Sequence, residues 1–146
     1  MNRPGQFCIY KGVGAAQINL ILPTHNEKGY IEREGTIIIE ASSAVGKDDK
    51  GLPTYNWGNK ISFALGINDL ALLMQDIETS LIHDYQGKIK TLKFNAGKNQ
   101  YEGTYTMNLV QKEEGKQTKI MVPLTAGEMR LFIILLERGC TQMLGW

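Results

Sequence analysis

Seven lysines lie between Gln86 and Lys119, at positions Lys88, Lys90, Lys93, Lys98, Lys112, Lys116 and Lys119, against three glutamates, Glu102, Glu113 and Glu114. The segment therefore carries +4 while the whole chain carries +1, which leaves −3 for the remainder. Phe94, Tyr101 and Tyr105 are interleaved with these lysines, and earlier in the chain Tyr55 and Trp57 stand close to Lys60. Ammonium groups spaced along extended backbone follow a chain of phosphates, and exposed rings stack on the faces of unpaired bases. The same pattern has a plainer reading. Lysines keep exposed sheet edges soluble, and alternating aromatics fill cores. Residue types alone leave both open.

Other chemistry is poorly supplied. His25 falls in a polar stretch and His83 precedes Asp84, but no spaced cluster of His, Cys, Asp and Glu suits a metal or acid–base site. No catalytic group, metal or cofactor is expected. Gly12-Val13-Gly14-Ala15-Ala16-Gln17 misses the dinucleotide fingerprint, because Gln17 stands where its last glycine belongs. The strand-like run Ile18-Asn19-Leu20-Ile21 follows, where phosphate binding needs a helix N-terminus. Cys8 and Cys140 form no CxxC pair, and two free thiols in a reducing compartment are the favoured reading. The longest apolar stretch, residues 131–136, is too short to cross a bilayer. Residues 1–7 lack the pattern of a signal or transit peptide, so a cytoplasmic protein without a membrane partner is expected.

The elements that must position these residues follow from periodicity. A length of 146 residues suits one domain spanning 1–146. An extended run covers residues 8–22, a short strand residues 30–33, and a third strand residues 36–42 with Ile37, Ile38 and Ile39 at its centre. Residues 45–53 read as a turn-rich loop. Residues 55–65 alternate, with Tyr55, Trp57, Ile61, Phe63 and Leu65 assigned to one face. A helix is expected over 68–79, capped by Asn68 or Asp69, with Leu70, Leu73, Met74 and Ile77 as its apolar stripe. Strands follow at 88–95, 101–112 and 116–124. Thr125 and Glu128 form a capping-box pattern for a second helix ending near Gly139. That helix is apolar around much of its circumference, which demands burial on more than one side and points to a second subunit. The whole reads as α+β, mainly β, with roughly seven or eight strands and two helices.

Several pieces, in order, resemble the Whirly family of single-stranded DNA-binding proteins. Tyr10-Lys11-Gly12 and the small residues after it are similar to the Lys-Gly-Lys-Ala-Ala-Leu motif of that family's first strand. Gly35 with its aliphatic strand, Tyr55-Asn56-Trp57 with Lys60 and Phe63-Ala64-Leu65, and Ile82-His83-Asp84 resemble later segments. Val122-Pro123-Leu124-Thr125 with Glu128 is similar to the entry to the family's second helix, and Met143-Leu144-Gly145-Trp146 to its Leu-Leu-Gly-Trp. The resemblance implies two antiparallel four-stranded sheets packed crosswise, with the helices in the core of a homotetramer. It also implies binding of single-stranded DNA with little sequence preference, in support of replication, recombination or repair. Val13 and Gln17 depart from the first-strand motif, and the larger assemblies associated with that motif are not implied. Nor is an organelle address; a bacterial or viral origin fits.

On this reading the phosphate candidates are Lys11, Lys60, Lys90 and Lys93, and the stacking candidates Tyr10, Trp57, Phe94, Tyr101 and Tyr105. Asn56 is placed to bond a base edge, while His83 and Trp146 are read as structural. Two alternatives stay open. One is an RNA-binding and annealing protein or transcriptional cofactor of related fold. The other is a module whose sheets contact protein.

Overall fold

The computed structural model describes residues 6–146; residues 1–5, most of the stretch read for a targeting signal, lie outside them. The chain folds as β1 (Gln6–Tyr10), β2 (Gly14–Ile21), β3 (Thr24–His25), β4 (Ile31–Arg33), β5 (Thr36–Lys47), β6 (Pro53–Tyr55), β7 (Ile61–Leu65) and α1 (Ile67–Gln75). A second run of the same plan follows: β8 (Leu81–Tyr85), β9 (Lys88–Ala96), β10 (Tyr105–Glu113), β11 (Lys116–Leu124) and α2 (Ala126–Met143). The first sheet runs β1-β2-β5, with β6 and β7 pairing successive stretches of β5, and the second runs β11-β10-β9-β8; β3 and β4 form a small ribbon. All pairings are antiparallel, as expected of a mainly β chain with hairpin connections.

Register decides what each face carries. Pairings Ile9↔Ala16, Ala16↔Ala41 and Ala41↔Ile61 put these residues on one face of the first sheet, with Ile18, Ile37, Ile39, Phe63 and Leu65. The facing rows of the second sheet hold Leu92, Phe94, Met107, Leu109, Ile120 and Val122, and all these side chains are buried. Phe132 of α2 closes this core, with its ring edge-on to both Phe7 and Phe94. Helix α2 lies so close to β5 that a Cβ on Gly139 would stand 2.5 Å from Ile37 Cδ1. Its start follows the expected box: Glu128 N donates to Thr125 Oγ1 at 3.1 Å, and Thr125 N to Glu128 Oε1 at 2.9 Å.

Several expectations are corrected. Residues 8–22 form not one run but a hairpin, because Lys11-Gly12-Val13 turns and Lys11 N bonds Gly14 O at 2.9 Å. The loop at 45–53 shrinks to residues 48–52, where Asp48 Oδ1 accepts from Lys50 N and Leu52 N and holds a tight turn. Alternation through 55–65 breaks at a 3-10 turn over Trp57–Asn59, so Trp57 does not share a strand face with Ile61 and Phe63. Helix α1 is capped at Gly66, whose N–H donates to Asp69 Oδ2, and it ends four residues early at Gln75. Strand β8 was not expected at all. Tyr101 lies in a second 3-10 turn, so β10 begins only at Tyr105, and α2 runs past Gly139 to Met143. Counting β6, the first sheet has five strands where four were expected. Trp146 does not pack the tail; it is 86% exposed.

Candidate nucleic-acid interface

Tyr10 ends β1 and Tyr55 ends β6, both on the face of the first sheet that points away from the core. Their rings lie 5.6 Å apart at 40°, and the Tyr55 hydroxyl donates to the Lys11 carbonyl at 2.7 Å. Tyr10 remains 61% exposed. Its hydroxyl is held above its ordinary pKa by a hydrogen bond and charge from Cys8, then by burial and by Tyr55. The ring is therefore neutral at physiological pH and does not repel phosphate.

Next to this pair runs a cross-strand polar row, Cys8↔Gln17↔Glu40↔Ser62. Glu40 Oε1 accepts from Gln17 at 2.8 Å and Asn19 at 3.2 Å, while Oε2 accepts from Ser62 at 2.7 Å. Lys60 Nζ stands 2.6 Å from the same oxygen. Burial raises the Glu40 carboxyl's pKa, but the bonds from Lys60, Ser62 and Gln17 outweigh it and leave the group below its ordinary value. The charge of Lys60 is thus matched locally.

Lys11 joins the Tyr10–Tyr55 pair to a second aromatic group. Its side chain, Tyr101 and Tyr105 line a largely apolar hollow of about 400 Å³, floored by Ala96, Gly97 and Pro123. Tyr101 is 61% exposed and Tyr105 half-buried. The loop that presents Tyr101 is rigidly specified: Gly97 N donates to Thr104 O, Thr104 Oγ1 donates to Tyr101 O, and a Cβ on Gly97 would overlap Tyr101 O. Lys11 Nζ also bonds Glu128 Oε1 at 2.6 Å and so ties β1 to the start of α2. Burial pushes the Glu128 carboxyl up, but bonds from Lys11 and Thr125 bring it below its ordinary value.

The remaining candidates part company. Lys90 Nζ donates to Ser62 O at 2.7 Å and bridges the two sheets; burial lowers its pKa, Lys88 adds to this and Glu113 opposes it. Lys93 points to the outer face of the second sheet with Lys112 and Lys119, away from every aromatic named above. None of these three has an ion-pair partner among the described residues. Phe94 is withdrawn as a stacking residue, because its ring is fully buried against Phe132 and no base can reach it. Trp57 is half-buried in its 3-10 turn, and Asn56 beside it lines a polar cleft between the sheets. His83 packs within the fold: its ring stacks on Phe63 at 4.2 Å, and its Nε2 lies 3.1 Å from both Asp69 oxygens.

Residue periodicity missed Tyr55 as part of the pair and missed Asn59, which lies beside Asn56, and Gln111, Lys116 and Thr118, which face both across the cleft. The signal for the last three was present in the hairpin at Glu114-Gly115, which fixes Gln111 opposite Thr118.

The profile of the family described as Whirly transcription factor matches residues 9–135, most of the chain. The chain belongs to the Whirly family. The Whirly fold is also met in solved structures. WHY1 from Arabidopsis thaliana superposes with a TM-score of 0.83 at 18% identity, covering 97% of this chain and 85% of that one. WHY3 from the same plant gives 0.80 at 21% identity, covering 100% and 92%. The MRP1/MRP2 structure from a trypanosome is more distant, at 0.57 and 8% identity over 95% and 85%. At such identities these likenesses concern the fold alone. Apart from the Whirly profile, no individual curated protein matches the chain by sequence.

Proposed function

We propose that this Whirly protein binds single-stranded DNA with little sequence preference, as a homo-oligomer, and that it is not an enzyme. The observation that carries this reading is the meeting of Lys11, Tyr101 and Tyr105 in one hollow, continuous through Lys11 with the Tyr10–Tyr55 pair. Four rings, two from the first sheet and two from the second sheet and the turn that precedes β10, offer π-faces to successive bases, whatever their identity. The cations nearest them are partly matched, so affinity draws more on stacking than on bulk charge, in keeping with a net charge of +1. Oligomerisation is supported by α2, where Leu131 and Ile134 are exposed beside an apolar groove of about 400 Å³ that reaches Phe7, Ile18 and Leu20. Replication, recombination and repair are the processes such binding would serve.

The test is the double substitution Tyr101→Ala with Tyr105→Ala, titrated with oligo-dT by fluorescence anisotropy. Each stacked ring is worth about 1–3 kcal/mol, so a loss of about a hundredfold is expected with the fold intact. Unchanged affinity would remove these rings from the interface. Parallel titration with matched RNA separates the DNA reading from the RNA-annealing one, since only RNA presents a 2′-hydroxyl.

A further inference from the structure

The two sheets do not close at every end. The inner row of β10 and β11 is apolar through Met107, Leu109, Val122 and Ile120, then turns polar at Gln111, Thr118 and Lys116. On the opposing sheet the row Ile37, Ile39, Ala41 shrinks to Ser43, and Asn56, which precedes the 3-10 turn, and Asn59, which ends it, stand across the gap. Small residues on one side and polar ones on the other leave a cleft of about 640 Å³. That volume lies within the roughly 300–1,000 Å³ typical of pockets for small organic groups.

What marks this cleft is the state of its polar groups. On the outer face of the first sheet the amides of Gln6, Gln17 and Asn19 are all engaged, directly or in turn, with Glu40. In the cleft the side chains of Asn56, Asn59, Gln111 and Thr118 are open to solvent and have no hydrogen-bond partner among the described residues, so a ligand can reach them without breaking an internal bond. Lys116 has no ion-pair partner there either. A carboxamide offers one donor and one acceptor edge, the pattern that bonds a nucleobase edge in a bidentate way.

We propose that this cleft receives an unstacked nucleobase of a bound single strand. Carboxamides from both sheets bond its edge, and Lys116 neutralises the adjoining phosphate. The proposal rests on the single-strand reading above and adds to it a modest base preference that stacking alone does not produce.

The experiment uses the full chain with equal-length oligo-dT, oligo-dA and oligo-dC and a strand of abasic sites. Substituting Asn59→Ala with Gln111→Ala, both at solvent-accessible positions, is expected to weaken at least one base-bearing strand by about fivefold or more. Binding of the abasic strand should stay unchanged. Lys116→Gln is expected to weaken every strand, abasic included, and to lower the salt slope by about 0.7. Wild-type affinity of the double variant for all three base-bearing strands, or an equal loss for the abasic one, overturns the cleft. If Tyr101→Ala with Tyr105→Ala still loses affinity, the single-strand reading survives that result. Failure of the unaltered protein to bind any strand removes both.

Discussion

Glu40 shows how single residues shape this surface. A carboxylate in the middle of the proposed strand-binding face would repel phosphate, yet here it is 9% exposed and enclosed by donors from two strands, β2 and β7, and from Lys60. Its pKa is lowered in the folded state, so it stabilises the fold above the ordinary carboxylate value of about 4.3. That stabilisation is lost as pH falls through the lower folded value. Glu128 shifts in the same direction. Substituting Glu40→Gln should therefore cost about 1–3 kcal/mol near neutral pH, measured by urea unfolding, because its donors lose a charged partner. The variant's stability should fall less steeply than wild type on acidification below about pH 4. Parallel acid curves would show that the row does not act as described. Chain order gave no sign of this row. Cys8, Gln17, Glu40 and Ser62 meet only through register, which a one-residue slip would destroy.

Elements were read better than their ends. The capping box at Thr125 and Glu128 and the strand Lys116–Leu124 stood in the sequence because each has a local cause: a reciprocal side-chain bond in one, a run bounded by Gly115 in the other. Strand β8 escaped because its hairpin turns on Gln86 at φ 52° and Gly87 at φ 84°, and glutamine is no usual signal for a left-handed position. The 3-10 turns at Trp57 and Tyr101 hide inside patterns that imitate alternation, which places Tyr101 on a strand by sequence; Phe94 does lie on a strand, but register with Met107 turns its ring inward. The loop holding Tyr101 yields its own prediction. Substituting Gly97→Ala forces a Cβ into the Tyr101 carbonyl, so the loop must shift and carry the ring away from the hollow. Oligo-dT affinity should drop about tenfold, as for loss of one stacked base. An unchanged dissociation constant would mean that the ring's position does not matter.

For the whole molecule, fold class and two-helix plan were legible because long alternating runs and one very apolar helix admit few arrangements. The grouping of the site was not, since Lys11 and Tyr101 are distant in sequence and meet only where β1 passes the loop after β9. The exposed apolar residues belong to this scale as well. Leu131 at 47% and Ile134 at 42% exposure should be covered by a second copy of the chain. Substituting Leu131→Glu with Ile134→Glu is expected to reduce the solution mass to that of a 16.3 kDa monomer by light scattering, with the circular dichroism spectrum retained. A mass unaffected by the change would place the interface elsewhere.

The central claim is that rings and ammonium groups on pleated backbone hold an unpaired strand in preference to a paired one. Titration of equal-length oligo-dT and duplex DNA, each at low and at moderate salt, tests it most directly. Tight binding of oligo-dT that weakens as salt rises, with duplex bound far less at both salts, is the predicted result. Equal affinity for duplex, or no binding of oligo-dT at low salt, would contradict it.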